Sequence, residues 1–190
     1  MKSCVIQLIG SPASGKSTAA AHLYTALKCM GIDTELSLEY IKPLVYKGIK
    51  ITPYTQYYIF GHEIEQQASL FNKVSCIISD SSPLLASFYQ WYYTKKNTLA
   101  EACRDFYKTA EEKNDVQFLN FFLPHREDYN PNGRIQDKEG ALEVERLLRA
   151  YLEVENYPFQ ELKCSDKDRI NIILEKIKEM TGDFNGMAVA

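Results

Sequence analysis

Two glycines, a lysine and two adjacent hydroxyl residues fall near the start of the chain at a spacing that suits a polyphosphate. Gly10, Ser11, Pro12, Ala13, Ser14, Gly15, Lys16 and Ser17 satisfy the pattern G-x-x-x-x-G-K-[ST], and Thr18 follows. The glycines allow a tight loop whose backbone N–H groups point inward, and a helix opening near Lys16 adds its positive end to the same anion site. In that arrangement Lys16 bridges the β- and γ-phosphates of ATP, and the Ser17 hydroxyl coordinates Mg²⁺.

Phosphoryl transfer to a hydroxyl also needs positive charge on the transferred group and an acceptor for the proton. Asp80 ends the most strand-like run of the chain, where its carboxylate can face the metal through a water. It also stands with Ser81 and Ser82 just before Pro83, so any of the three could cap a helix. Glu39 or Asp80 can take the proton, and the loop arginines Arg126 and Arg134 can add positive charge beside Lys16. Arg146 and Arg149 read as helix-surface residues, and His62 and His125 as surface or packing histidines. Ser81, and not Glu, follows Asp80, so the water-activating carboxylate of a motor ATPase is missing from its usual place. Asn72-Lys73-Val74-Ser75 lacks the aspartate of a guanine-reading Asn-Lys-x-Asp signature, which disfavours a GTPase.

The elements that must position these groups alternate along the chain, strand-like then helix-like, as in an α/β fold with a parallel sheet wrapped on both faces. Strands are predicted at Val5–Ile9, Thr34–Tyr40, Val74–Ser79 and Val116–Leu123, the last as a buried strand, with a short fifth within Pro158–Cys164. Helices are predicted at Ser17–Met30 with Gly31 as its C-cap, Thr55–Phe71, from Pro83, through most of Ser87–Tyr107, at Gly140–Tyr151, and from Ser165 or Asp166 onward. The expected fold is a three-layer P-loop NTPase with five parallel strands, in one domain over residues 1–181. A lid loop is expected near 124–140, where Asn130-Pro131-Asn132-Gly133 forces a turn, and a frayed tail over 182–190. Tyr54, Tyr57, Tyr58, Phe60, Phe88, Tyr89, Trp91, Tyr92 and Tyr93 fall in helices after the second and third strands, where some can stack on a flat ring while most pack the core.

Composition is that of a water-soluble globular protein, with 45% hydrophobic and 25% charged residues among 190. A formal charge of −3 gives no overall attraction to a nucleic acid backbone, which favours a small-molecule acceptor, although a local basic patch can still exist. Val5–Ile9 is too short for a signal-peptide core or a membrane span, so a cytoplasmic location is expected, with no membrane partner. The five cysteines are odd in number and contain no CxxC pair, which suits reduced, mostly buried thiols.

Taken in order, the phosphate loop, Leu38-Glu39-Tyr40-Ile41-Lys42, Phe60-Gly61-His62-Glu63, Ile77-Ile78-Ser79-Asp80 and the stretch from Arg126 to Arg134 resemble a small kinase family. The chain, over Lys2 to Pro158, is similar to the ribosylnicotinamide-kinase domain of bacterial NAD-salvage proteins and their phage-encoded relatives, which share the nucleoside and nucleoside-monophosphate kinase fold. The resemblance implies ATP- and Mg²⁺-dependent phosphorylation of a small nucleoside-like substrate. It implies an acidic residue at the end of the second strand reaching the substrate hydroxyl, where Glu39 stands, and a basic lid, which Arg126 and Arg134 match. The family shows an Asp-Gly pair with an arginine shortly after, whereas here Asn132-Gly133 is followed at once by Arg134. Lys42 stands where an arginine is more usual, and a lysine lacks the bidentate fork.

Overall fold

The computed structural model describes residues 2–126 and 137–181. Strands β1 (Cys4–Ile9), β2 (Thr34–Ser37), β3 (Cys76–Ser79), β4 (Gln117–Phe122) and β5 (Gln160–Glu161) form one sheet in the order β2-β3-β1-β4-β5, and every pairing is parallel. The helices are α1 (Lys16–Cys29), α2 (Ile41–Tyr46), α3 (Thr55–Ala68), α4 (Pro83–Thr94), α5 (Ala100–Asn114), α6 (Lys138–Val154) and α7 (Asp166–Thr181).

The pleat of β1 divides the core. Cys4, Ile6 and Leu8 point to one face and pack with Ala19, Ala20, Leu23 and Leu27 of α1 and with Ile173 and Ile177 of α7. Val5 and Ile9 point to the other face, where α3, α4, α5 and α6 bring Ile59, Phe88, Cys103 and Leu148. Side chains alternate across a strand, so a strand paired on both edges and covered on both faces must be apolar throughout. All six residues of β1 are buried, and all are apolar except Gln7, a buried polar side chain. This is the three-layer, five-stranded parallel α/β architecture expected.

Several boundaries differ from the expectation, for identifiable reasons. The second strand stops at Ser37 rather than Tyr40 because its partner ends there: Ser37 pairs with Ser79, the last residue of β3. The chain then turns into α2, a six-residue helix that was not anticipated. The aromatic stretch from Ser87 is broken into α4 and α5. Lys95 adopts a left-handed conformation (φ 57°), and its N–H donates to the Trp91 carbonyl at 2.7 Å, which ends the helix. The fourth strand is buried only at Phe121 and Phe122, because β5 pairs with those two residues and leaves Gln117–Asn120 half-covered. Cys4, Cys76 and Cys103 are buried free thiols, whereas Cys29 is exposed. Burial pushes both Cys4 and Cys76 up to about 12. Among the described residues no helix is long and apolar enough to cross a membrane.

Strand order reverses at β1. The connection after it leads to β2 and β3 on one side, and the connection after β3 crosses to β4 on the other. A crevice at the carboxyl end of the strands is expected at such a reversal, and the phosphate loop leaves β1 there.

Candidate active site

The loop between β1 and α1 is held by close approaches that only small residues permit. A Cβ placed on Gly10 would lie 2.5 Å from the Leu123 carbonyl oxygen and 2.6 Å from Ser14 Oγ. Gly15 has φ +89°, in the left-handed region that glycine enters without a steric cost. Ala13 also lies in the left-handed region, at φ 68°, an uncommon state for a residue with a Cβ. Lys16 Nζ donates to the carbonyls of Gly10 at 2.8 Å and Ser11 at 3.0 Å, so the ammonium sits over the cradle. Ser14 Oγ is buried in the loop without a hydrogen-bond partner. An orphaned hydroxyl, a cradle that a single Cβ would fill, and a lysine and a serine at the helix start fit a bound polyphosphate with its metal.

Gly10→Ala is therefore expected to destabilise the chain by roughly 1–3 kcal/mol, the usual cost of forcing a methyl into packed backbone. Gly61, in α3, meets nothing within 4 Å, so Gly61→Ala should leave stability unchanged or raise it by up to ~1 kcal/mol. Urea unfolding of the two variants checks this, and equal stability of both would show that the loop can relax around a Cβ.

The loop forms the floor of an open cleft. One wall comes from the β2–α2 region, with Glu39, Ile41, Lys42 and Val45. The other comes from α4, with Leu85, Tyr89 and Tyr93. Of the residues Gly10 to Thr18, all line the cleft except Ser11, which is buried with its hydroxyl 3.5 Å from both the Pro12 carbonyl and Glu145 Oε2. Lys42 Nζ donates to Ser17 Oγ at 2.6 Å and pairs with Glu39 Oε2 at 3.3 Å, which puts the helix-start hydroxyl and the wall carboxylate within reach of one ammonium. Of the aromatic residues singled out above, Phe60 and Phe88 are core, Tyr54, Tyr57 and Tyr58 are exposed, and Tyr89 and Tyr93 reach the cleft with ring centroids 6.1 Å apart. Burial, with Tyr93 and Glu39 adding to it, pushes the Tyr89 phenol far above its ordinary range.

The two strand-end acids are tied together. The Glu39 backbone N–H donates to Asp80 Oδ1 at 2.6 Å, so Asp80 sets the path of the chain just beyond β2. Asp80 is 3% exposed and does not itself line the cleft, whereas Glu39 does. The helix cap is Ser82: its hydroxyl accepts from Leu84 N–H at 3.1 Å, which leaves Asp80 outside the capping role. A third carboxyl lies underneath. Glu63 is 1% exposed and accepts a hydrogen bond from the Ser81 hydroxyl. Burial raises its carboxyl well above the usual range against the pull of that bond, and Glu39 and Asp80 raise it further.

Behind Asp80, Gln7 Oε1 accepts from the Ser82 and Tyr107 hydroxyls. Gln67 Nε2 donates to Ser79 Oγ at 3.1 Å, and Ser79 Oγ donates to the Ser81 carbonyl at 2.6 Å. These buried polar residues hold the end of β3 in place and were not singled out from the sequence. A glutamine in the middle of an otherwise apolar strand, Val5-Ile6-Gln7-Leu8-Ile9, was the available signal.

Arg126 does reach the phosphate loop, with its Cδ 3.3 Å from the Cβ position of Gly15 and Nη1 2.6 Å from Asp166 Oδ2. Arg134 lies outside the described residues. Arg169 was not singled out, yet it is 6% exposed and donates from Nη1 to the Ser14 carbonyl at 3.3 Å and to Asp166 Oδ1 at 3.1 Å. Its signal was a cation one turn before Ile173 and Ile177 on the buried stripe of α7. Arg149 is a packing residue: it lies 4.5 Å over the Phe122 ring and pairs with Glu161 at 2.7 Å, which clamps β5 to α6. His62 stacks on Tyr40 with centroids 3.8 Å apart, and the His125 N–H donates to Glu145 Oε2. Among the described residues no group of three or more His, Cys, Asp or Glu side chains is placed to hold a metal by itself, so a metal here would draw its remaining ligands from phosphate oxygens and water.

The same architecture occurs in deoxyadenosine kinase from M. mycoides with dCMP and dCDP bound, at a TM-score of 0.57 and 18% identity, covering 94% of this chain and 100% of that one. It occurs also in APS kinase from Mycobacterium tuberculosis, at a TM-score of 0.56 and 10% identity, covering 94% and 99%. At such identities the likeness establishes the fold. No curated protein sequence matches the chain. A family profile, the AAA domain, matches residues 5–169, from β1 and its phosphate loop to the arginine that braces that loop, and the chain belongs to that family.

Proposed function

We propose that the chain transfers the γ-phosphoryl group of ATP to a hydroxyl of a small nucleoside-like acceptor: a nucleoside, ribosylnicotinamide or a nucleotide. The observation that carries this reading is one cleft in which the phosphate loop faces a carboxylate, Glu39, and a tyrosine wall, Tyr89 and Tyr93. The kinase folds of the two structural relatives support it.

In this reading the backbone of Gly10–Thr18 cradles the phosphates and Lys16 holds the β- and γ-oxygens. Ser17 and, through a water, Asp80 would hold Mg²⁺, which when bound supplies charge neutralisation on the transferred group. The acceptor oxygen attacks the γ-phosphorus, the bond from that phosphorus to the ADP oxygen breaks, and the hydroxyl proton passes to the Glu39 carboxylate. Arg126, with Arg134 from the lid, adds positive charge over the loop. Tyr89 and Tyr93 present ring surface to a flat acceptor. Glu63, which accepts from the Ser81 hydroxyl, and the buried Gln7 and Gln67 brace the end of β3 without entering the reaction.

Incubation with Mg·ATP and a panel of nucleosides, ribosylnicotinamide, nucleotides and 5′-hydroxyl oligonucleotides tests the assignment. Turnover confined to the oligonucleotides would make the chain a 5′-polynucleotide kinase, and absence of turnover across the panel would leave an ATP-binding regulatory module. Binding alone has a separate readout. A ligand that binds only the folded chain stabilises it by mass action, so Mg·ATP at about 100-fold over its Kd should raise Tm by roughly 5–10 °C. Equal stabilisation by ATP in EDTA would remove Ser17 and Asp80 from a metal site.

A further inference from the structure

The stretch between Glu39 and Glu63 contains no acidic residue and carries Lys42, Lys47 and Lys50, in a chain whose formal charge is −3. It is also where apolar surface is left uncovered. Of the ten large hydrophobic side chains exposed among the described residues, six lie between Leu38 and Tyr58. Tyr46 is 73% exposed, Tyr54 83% and Tyr58 56%, while the core keeps its aromatic residues inside. An exposed aromatic cluster of this kind marks a binding surface rather than ordinary scatter.

Part of this surface is joined by direct contacts. Tyr58 OH lies 3.0 Å from Tyr40 OH, Tyr40 stacks on His62, and the Lys47 ammonium is close enough to act on the Tyr58 phenol. The surface is continuous with the cleft, because Ile41, Lys42 and Val45 of α2 line the cleft wall while Tyr46 and Lys47 at the end of the same helix lie outside it, exposed.

From these observations we infer that the outer surface of the α2–α3 region, built on Tyr46, Lys47, Lys50, Tyr54 and Tyr58, docks single-stranded nucleic acid. Separated tyrosine rings offer stacking surfaces to successive bases, and interleaved lysines follow a phosphate backbone. A second copy of the chain fits poorly: a two-fold contact would lay this lysine-bearing stretch, which has no acidic residue between Glu39 and Glu63, onto itself. The overall negative charge does not oppose the assignment, since exposed charges beyond about 10 Å are screened and the local positive stretch decides contact.

The test is fluorescence anisotropy of a labelled oligothymidylate of about 12 nucleotides, within the site size such surfaces span. It is read without turnover, so its failure leaves the phosphoryl-transfer reading standing. Binding is expected to weaken about tenfold between ~50 and ~200 mM salt, as neutralising two to three phosphates of a single strand requires. Lys47→Glu with Lys50→Glu should weaken it about tenfold or more at low salt and flatten that salt dependence. Tyr46→Ala with Tyr54→Ala should weaken it by a similar factor while leaving the salt slope unchanged. All four side chains are exposed, so melting curves should stay near the parent's. The inference is overturned if the parent does not bind, if both double variants bind like the parent, or if poly-glutamate competes as well as the oligonucleotide. It is also overturned if the aromatic variant instead disperses a dimer seen by sedimentation.

Discussion

Lys16→Ala is expected to lower phosphoryl transfer by about 10³-fold, the upper range for deleting one preorganised charge aimed at the transition state. The side chain spans the loop without filling the core, and it donates to the Gly10 and Ser11 carbonyls at the floor of the cleft. Truncation therefore removes charge where it develops and leaves the packing of β1 against α1 and α7 intact. The Tm of the apo chain should stay within a few degrees of the parent, while the rise produced by Mg·ATP should shrink. Steady-state kinetics and a melting curve on the same preparation separate the two effects. Full turnover per folded molecule in the variant would remove Lys16 from the reaction.

The second large effect divides the two strand-end acids. Glu39 lines the cleft opposite the phosphate loop, just beyond the edge strand β2, where an acceptor must approach in line with the γ-phosphorus. Glu39→Gln keeps the shape and removes the base, so kcat should fall by about 10²-fold or more with little change in ATP affinity. Asp80 follows β3, next to β1 and its loop, so Asp80→Asn should move the magnesium dependence of the rate to higher metal. The structure adds a coupling, because Asp80 Oδ1 accepts the Glu39 N–H at 2.6 Å. Asparagine can still accept that bond, whereas Asp80→Ala cannot and should lower kcat as well as shift the metal curve. A titration of Mg²⁺ against rate for the three variants reads both signatures. If Glu39→Gln shifts the metal curve while Asp80→Asn loses only turnover, the roles are exchanged.

Much of this molecule is legible in its sequence because the relevant signals are local. A contiguous Gly10–Ser17 pattern between an apolar run and an alanine-rich helix specifies the loop wherever the rest of the chain lies. The alternation of strand-like and helix-like segments likewise specifies a parallel α/β sheet, since parallel strands need crossover helices. The end of β2, the extent of β5 within Pro158–Cys164 and the half-covered β4 could not be read, because a strand's extent depends on how long its neighbour runs. Glu63 illustrates the same limit for the site. Its place on a helix does not tell it from a surface acid, and only the packing of α3 against α4 and the end of β3 buries it and raises its carboxyl. Arg169, 155 residues from the Ser14 carbonyl it braces, is brought there by α7 folding against α1. Sequence by itself determined the phosphate loop and the class of fold, since both rest on neighbours along the chain. The tertiary structure alone decided which acid faces the cleft, which arginines meet the loop and which tyrosines stay outside, since those depend on side chains brought together across the sheet.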